Sequence, residues 1–194
     1  MIKSKQVKEL RDKTNASMME CKKALEEAKG NEALALNILR QAGKNIALKK
    51  SARETKQGLI ESYIHSNDKV GVLLEINCET DFVARNQEFR ELAHDIALHI
   101  AGMDPQYIHP QDVPEEVIRA EEEIYKKQFA DSGKPQKIVD QIIEGKIKKY
   151  SEEISLLTQP FVKNPDITIG DLIQEKIAKL GENIKVSRFI RYEL

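Results

Sequence analysis

Residues 58–77 read GLIESYIHSNDKVGVLLEIN, and the period of their apolar side chains decides the fold. The stretch splits into GLIESYIH and VGVLLEIN around Ser66-Asn67-Asp68-Lys69, a run of turn residues. In the second half Val70, Val72, Leu74 and Ile76 recur at every other position, the spacing that puts side chains on one face of a strand. A hairpin is therefore predicted. A third alternating run, NIKVSRFIRYEL, occupies residues 183–194 with Ile184, Val186 and Ile190 in phase. Because an isolated hairpin is barely stable in water, this run is expected to complete a three-stranded antiparallel sheet with helices over one face, an α+β arrangement. The opposite face would still carry Leu73 and Phe189, with Tyr63 beside them. A sheet apolar on both sides needs a second cover, supplied either by the chain's own helices or by another copy of the chain.

On the N-terminal side of the hairpin the periodicity is helical. VKELRDKTNASMMECKKALEEAKGNEALALNILRQAG (residues 7–43) divides at turn signals into three short segments. The first, about Lys5 to Lys13, carries Val7 and Leu10. Thr14-Asn15-Ala16-Ser17 is a break, and Ser17 stands three places before Glu20, the reciprocal capping-box spacing. The helix this starts places Cys21, Ala24, Leu25 and Ala28 at three- and four-residue intervals and stops at Gly30. Asn31 then caps a third helix bearing Leu34, Ile38 and Leu39, which Gly43 is expected to end. The predicted organisation is a three-helix module over residues 1–44, a basic connecting helix over 45–57 that lies outside the packed core, and an α+β core over 58–194.

Beyond the hairpin the helical period returns. Asn86 caps a segment with Phe89, Leu92, Ala93, Ile96 and Ile100 on one side. Pro114 marks the first turn of a helix with Ile118, Tyr125 and Phe129, closed by Gly133. Pro135 opens another toward Leu157, with Ile138, Ile142 and Ile154 as its stripe and Gly145 weakening its middle. Thr158-Gln159-Pro160 interrupts, and a last helix carries Leu172, Ile173, Ile177 and Leu180 up to Gly181.

With 194 residues the chain is long enough to bury a core; 40% are hydrophobic and 32% charged, the balance of a folded chain rather than a disordered one. No apolar run is long enough to cross a bilayer, and the opening MIKSKQVKELRDK lacks an apolar h-region, so a cytoplasmic protein without membrane contact is expected. Net charge is −1, yet residues 1–56 hold 14 Lys and Arg against 7 Asp and Glu, which points to an anionic partner for the front, either nucleic acid or an acidic protein surface. A basic helical module that binds RNA is thus one reading.

Catalytic and cofactor motifs are missing. Neither GxxxxGK[ST] nor GxGxxG occurs, so the chain is not expected to hold a nucleotide itself. Cys21 and Cys78 lie far apart without metal spacing, and His65, His94, His99 and His109 read as surface or half-buried imidazoles rather than ligands. No cofactor and no metal is expected. Glu79 and Asp81 could be offered as a hydrolase's carboxylate pair, but capping of the following turn is the plainer role.

One stretch resists a purely architectural explanation. NCETDFVARNQEF (residues 77–89) links strand to helix, and Thr80-Asp81-Phe82-Val83 falls in the connection, where a Phe is either tucked under its own loop or displayed to a partner.

The segment NCETDFVARN resembles the signature of the elongation factor Ts family, guanine-nucleotide exchange factors for the GTPase elongation factor Tu. TNASMMECKKAL resembles that family's N-terminal signature, and SLLTQPFVKNP and IAKLGENIKVSRFIRYEL resemble its later core segments, in the same order along nearly the whole chain. Asn15 and Ser17 stand where the family usually has glycines, and Glu20 where it usually has Asp. The length is similar to that of the short form, some members of which form homodimers. The resemblance implies an N-terminal module like a ubiquitin-associated domain that grips elongation factor Tu through Arg11, Met18, Met19 and Lys22. It implies also that Thr80, Asp81, Phe82 and Val83 form the loop entering beside the partner's Mg²⁺ site, with Phe82 as the wedge and Asp81 as its polar companion. The implied partner is elongation factor Tu, GDP-bound or empty, with no direct nucleic-acid contact; the implied activity is exchange on a GTPase, not an enzyme reaction of the chain's own.

Overall fold

The structure, a computed structural model, describes residues 2–14, 16–130, 133 and 135–194. In chain order the described residues form α1 (Ser4–Thr14), α2 (Met18–Glu27), α3 (Glu32–Lys50), β1 (Gln57–Ile64), β2 (Val70–Cys78), α4 (Asp81–Ala84), α5 (Gln87–Met103), α6 (Glu115–Phe129), α7 (Gln136–Glu153), β3 (Pro160–Phe161), β4 (Asn164–Thr168), α8 (Ile169–Leu180) and β5 (Lys185–Glu193). The chain is α+β, combining these helices with a three-stranded antiparallel sheet of order β1-β2-β5. Two compact units emerge, one from Met1–Ile60, Glu75–Leu92 and Asp171–Ser187, the other from Glu61–Leu74, Ala93–Gly170 and Arg188–Leu194.

In the first unit, α1, α2 and α3 close on a core of Val7, Leu10, Cys21, Ala24, Leu25, Ala28 and Ala35. The capping box forms: Glu20 N–H donates to Ser17 Oγ (3.2 Å) and Ser17 N–H donates to Glu20 Oε2 (3.0 Å). Asn15, part of the expected break, lies outside the described residues. Lys29 and Gly30 both take positive φ, and Gly30 N–H reaches back to Leu25 O at 2.8 Å, which ends α2. Asn31 Oδ1 then accepts from Leu34 N–H at 3.1 Å and starts α3.

Two expectations for α3 require correction. Its inward residue is Ala35, fully buried, whereas Leu34 is 49% exposed. Gly43 does not end the helix, which runs on to Lys50 and buries Ala47, so the basic segment is partly core. A glycine inside a helix costs about 1 kcal/mol, and packing offsets it. A Cβ at Gly43 would lie 3.7 Å from Ala178 Cβ of α8, Lys44 Nζ pairs with Asp171 Oδ1 at 2.8 Å, and Lys50 Nζ donates to Gly181 O at 2.6 Å. α3 is fastened along the length of α8, so no break forms.

In the second unit, α5 covers the inner face of the sheet. His94 Nδ1 meets Glu61 Oε1 of β1 at 3.2 Å with its ring against Tyr63, and Arg191 Nε of β5 donates to Ala101 O at 3.2 Å. The stripe Phe89, Leu92, Ala93, Ile96 and Ile100 is almost wholly buried, as its period predicts. Ile184 and Val186 are buried too, but Ile190 is 44% exposed while Phe189 and Arg191 turn inward. The alternation of β5 slips by one residue between Val186 and Phe189, and such a slip exchanges the two faces from there on. Phe189 and Tyr63 therefore belong to the helix-covered side, leaving Ile64, Leu73, Ile190 and Tyr192 exposed on the other.

α7 likewise buries Val139 and Ile143, one position on from the expected Ile138 and Ile142. Lys146 Nζ sits 5.0 Å from the Tyr125 ring and 5.7 Å from the Phe129 ring, clipping α7 to α6. The interruption after Leu157 holds a small antiparallel hairpin, with Pro160 paired to Thr168 and Phe161 to Asn164.

His99 is fully buried, beyond the surface or half-buried imidazole its sequence context suggests. Its Nε2–H donates to Gln159 Oε1 (2.9 Å) and its Nδ1 accepts from Val162 N–H (3.2 Å), so both nitrogens are used by the neutral ring. Burial holds its pKa below the usual 6.5, with the Gln159 bond opposing weakly. The unfolded chain then binds a proton that the folded one refuses, so stability is intact above about 6.5 and declines as pH falls below it. Thermal unfolding between pH 7.5 and 5 should show this decline in the native chain and a shallower one in His99→Gln; identical profiles would contradict it.

Candidate functional site

β2 ends at Cys78, and the next six residues build the site. Thr80 is the N-cap of α4: its backbone is extended and its hydroxyl oxygen accepts from Val83 N–H at 3.4 Å. The connection expected from sequence is therefore one helical turn, Asp81–Ala84. Asp81 occupies the first turn, where a negative charge is favoured, and pairs with Arg85 Nη2 at 3.1 Å, an exposed contact of small energetic weight. Ala84 is buried beneath the turn, and Asn86 Oδ1 accepts from Glu88 N–H at 2.8 Å to begin α5. Glu88 in turn binds Lys179 (2.7 Å) and Lys176 (3.3 Å) of α8, and those hydrogen bonds, Lys179's first, hold its carboxyl below the usual carboxylate range.

A single turn of helix does not sustain itself, since too few hydrogen bonds offset the ordering of its backbone. Support comes from the junction of α8 and β5. Glu182 Oε2 accepts from Glu79 N–H (3.1 Å) and Thr80 N–H (3.0 Å), and Glu182 Oε1 accepts from the Thr80 hydroxyl (2.7 Å). Buried Asn183 adds a second strut: its N–H donates to Glu79 Oε1 (2.6 Å), and its Nδ2 donates to Arg53 O (2.8 Å) and Ser51 O (3.3 Å). Arg53 Nη1 completes the ring to Glu79 Oε2 at 3.4 Å.

On this clamped turn Phe82 is 82% exposed. The ring is displayed, not tucked, and forgoes about 2 kcal/mol that burial would bring. Val83 is half-buried beside it.

Among the described residues no group of three or more His, Cys, Asp or Glu side chains could hold a metal. Burial pushes the Cys78 thiol up to about 11, with the Glu182 carboxylate adding to it, and the thiol donates to Thr80 O at 3.1 Å. At neutral pH such a thiol is not a nucleophile. Glu79 is committed to Asn183 and Arg53 rather than paired with Asp81 for hydrolysis.

The other four residues singled out in the sequence lie on the three-helix module. Arg11 is exposed near the end of α1. Met18 and Met19, on the first turn of α2, are 43% and 75% exposed, so neither fills the module's core. Lys22 follows one turn on and leans toward Glu26 at 3.9 Å. The structure thus places the predicted residues in two sets on separate elements, α1–α2 and the Thr80–Val83 turn. Glu182, Asn183 and Arg53, which hold the second set, escape a reading of the sequence. Their only trace there is the pair Glu-Asn directly after the helix-stopping Gly181.

The family whose sequence pattern matches is Elongation factor TS, over residues 2–194. The chain is 57% identical to Elongation factor Ts of Thermodesulfovibrio yellowstonii over 193 residues, covering 100% of this chain and 96% of that one. It is 55% identical to Elongation factor Ts of Thermosipho melanesiensis over 192 residues (99% and 98%), and 53% identical to that of Carboxydothermus hydrogenoformans over 194 residues (100% and 89%). Among the described residues no helix is long and apolar enough to cross a membrane.

Proposed function

This chain belongs to the elongation factor Ts family, and from that premise we propose that it binds elongation factor Tu in the cytoplasm and drives exchange of GDP for GTP by inserting the Thr80–Val83 turn beside the partner's Mg²⁺ site. The observation that carries this reading is the exposure of Phe82 on a turn held from outside by Glu182. Nucleotide affinity in a GTPase depends on Mg²⁺ and on the donors around the phosphates, so a ring that displaces the elements holding them weakens nucleotide binding. Removing about 4 kcal/mol from that binding speeds release about a thousandfold if all of it falls on the off-rate. By linkage, incoming nucleotide expels the factor by the same free energy, and nothing is consumed.

In this reading the chain divides by role: residues 1–44 grip the GTPase, 45–57 connect, and 58–194 carry exchange and self-association. Arg11, Met18, Met19 and Lys22 make the grip, the flexible Met side chains fitting a partner groove and the cations an acidic surface. The linkage gives the test. Titration into nucleotide-free elongation factor Tu should give tight binding that weakens progressively as GDP is added; an affinity indifferent to GDP would overturn the proposal.

The alternative of RNA binding rests on the basic front. Ion pairs at Lys5, Lys13, Lys22, Lys44, Arg53 and Lys56 occupy part of that charge, which favours a protein partner. Filter binding to RNA across a salt series distinguishes the two: affinity that falls steeply with salt marks phosphate contacts, and its absence is the expected result.

We propose further that the sheet pairs with a second copy of the chain through the outer face bearing Ile64, Leu73, Ile190 and Tyr192. Light scattering should give the mass of two chains for the native protein and 22.1 kDa for Leu73→Glu. A native mass of 22.1 kDa at every concentration would refute the pairing.

A further inference from the structure

The contacts at the base of the exposed turn assign a role to a residue outside it. Glu182 lies more than a hundred positions from Thr80 in sequence, yet its carboxylate receives the Glu79 N–H, the Thr80 N–H and the Thr80 hydroxyl, at 3.1, 3.0 and 2.7 Å. The Thr80 hydroxyl has one proton and two lone pairs. It donates the proton to Glu182 and accepts from Val83 N–H at 3.4 Å, so the orientation of the N-cap oxygen, and with it the first turn of α4, is set by the carboxylate. Cys78 Sγ and Ala84 N–H both donate to Thr80 O, at 3.1 and 3.2 Å, which pins the same residue from its carbonyl side. Asn183, 2% exposed and bonded to Glu79, Ser51 and Arg53, holds Glu182's own backbone in place.

We propose that Glu182 is a positioning residue: through Thr80 it fixes the direction in which Phe82 is presented, so that the ring reaches the partner without first having to be ordered. A mobile turn would carry the same side chain but would lose conformational freedom on binding, at a cost to the rate. Glu182→Gln keeps the shape but has one acceptor oxygen: with that oxygen turned to the N–H groups of Glu79 and Thr80, its NH2 faces the Thr80 hydroxyl, which loses the acceptor for its proton. Thr80→Val removes the relay hydroxyl at nearly equal volume, and Thr80→Ser restores it.

The inference rests on the proposed exchange role only for its kinetic arm, and the first measurement is independent of that role. The chain has no Trp, so Phe82→Trp makes a single fluorescent reporter at the site. In that background Glu182→Gln should lower the steady-state anisotropy of the indole, Thr80→Val should lower it as well, and Thr80→Ser should leave it near the starting value. In the GDP release assay Glu182→Gln should reduce the saturating rate about tenfold while the half-saturating concentration changes less than about twofold, because the N-terminal grip is untouched. In a Phe82→Ala background the same substitution should have no further effect, since a residue that acts through the ring has nothing left to position. Unchanged anisotropy, or an equal loss of rate in both backgrounds, overturns the positioning role. Should Glu182→Gln fail to fold, the Thr80→Val and Thr80→Ser pair decides by the anisotropy alone. A native chain that does not accelerate GDP release would refute the exchange role and leave the anisotropy result to stand or fall alone.

Discussion

Phe82→Ala is expected to stimulate GDP release at least about thirtyfold less than the native chain at equal concentration, the equivalent of about 2 kcal/mol for an aromatic at the centre of a contact. The same substitution should shift Tm by no more than about 2 °C, because surface changes that remove no internal contact stay within about 0.5 kcal/mol. Phe82 is 82% exposed, and the turn beneath it is held by Thr80, Ala84 and Glu182 rather than by the ring. Activity and stability therefore separate at this position. A ring that served the chain's own fold would show the reverse, a lowered Tm with exchange reduced only in proportion to unfolded protein. Full activity in Phe82→Ala would remove the wedge from the mechanism.

The second large effect concerns the strand that delivers the turn. Gly58 of β1 faces the backbone of β2: a Cβ there would lie 2.2 Å from Ile76 O and 2.8 Å from Asn77 Cα. Both obstacles are main chain, so no rotamer change relieves them, and Gly58→Ala forces β1 away from the end of β2. Overpacking of this kind costs about 3 kcal/mol, which for a chain of this length lowers Tm by roughly 10 °C. Ile76 and Asn77 lead directly into Cys78, Glu79 and Thr80, so exchange should fall along with stability. Gly145 supplies the contrast. It sits inside α7, where an added Cβ would meet nothing within 4 Å, and Gly145→Ala should raise stability by about 1 kcal/mol through helix propensity alone. Thermal unfolding of the two variants side by side checks both signs; a Gly58→Ala protein as stable as the native chain would contradict the close approach.

Local signals in the sequence translate directly into structure. Ser17 and Glu20 are three residues apart and form their reciprocal cap whatever the rest of the chain does, and Asn31 likewise caps α3. The alternation of Val72, Leu74 and Ile76 survives because one face of β2 is buried along its length. Sequence and structure part where tertiary contacts override local preference. Gly43 reads as a helix stop, but the packing of Ala178 and the ion pair from Lys44 to Asp171 carry α3 through it. Ile190 reads as inward by counting from Val186, yet Phe189 and Arg191 are the half-buried residues there, and no composition marks that change of phase. Ile138 and Ile142 read as inward in place of Val139 and Ile143 because a run of adjacent apolar residues leaves the phase of a helix open by one position.

The site is legible in its exposed half only. Phe82 after an acid in a strand-to-helix connection raises the question of display from sequence alone, and the family resemblance answers it. What holds the ring in place cannot be read the same way, because Glu182 and Asn183 meet Glu79 and Thr80 across more than a hundred residues, and hydrogen bonds at such separation leave no periodicity. Met18 and Met19 are ambiguous in sequence for a related reason: methionine suits a core as well as a surface, and only their exposure on α2 shows that neither fills the core.

The central claim, that a displayed ring on a clamped turn loosens another protein's hold on its nucleotide, is tested most directly by stopped-flow release of fluorescent GDP from elongation factor Tu, mixed with rising concentrations of this chain and excess unlabelled GDP. The release rate should climb with concentration to a plateau far above the spontaneous rate. Release that stays at the spontaneous rate while the complex demonstrably forms would show that the chain binds the GTPase without opening its nucleotide site.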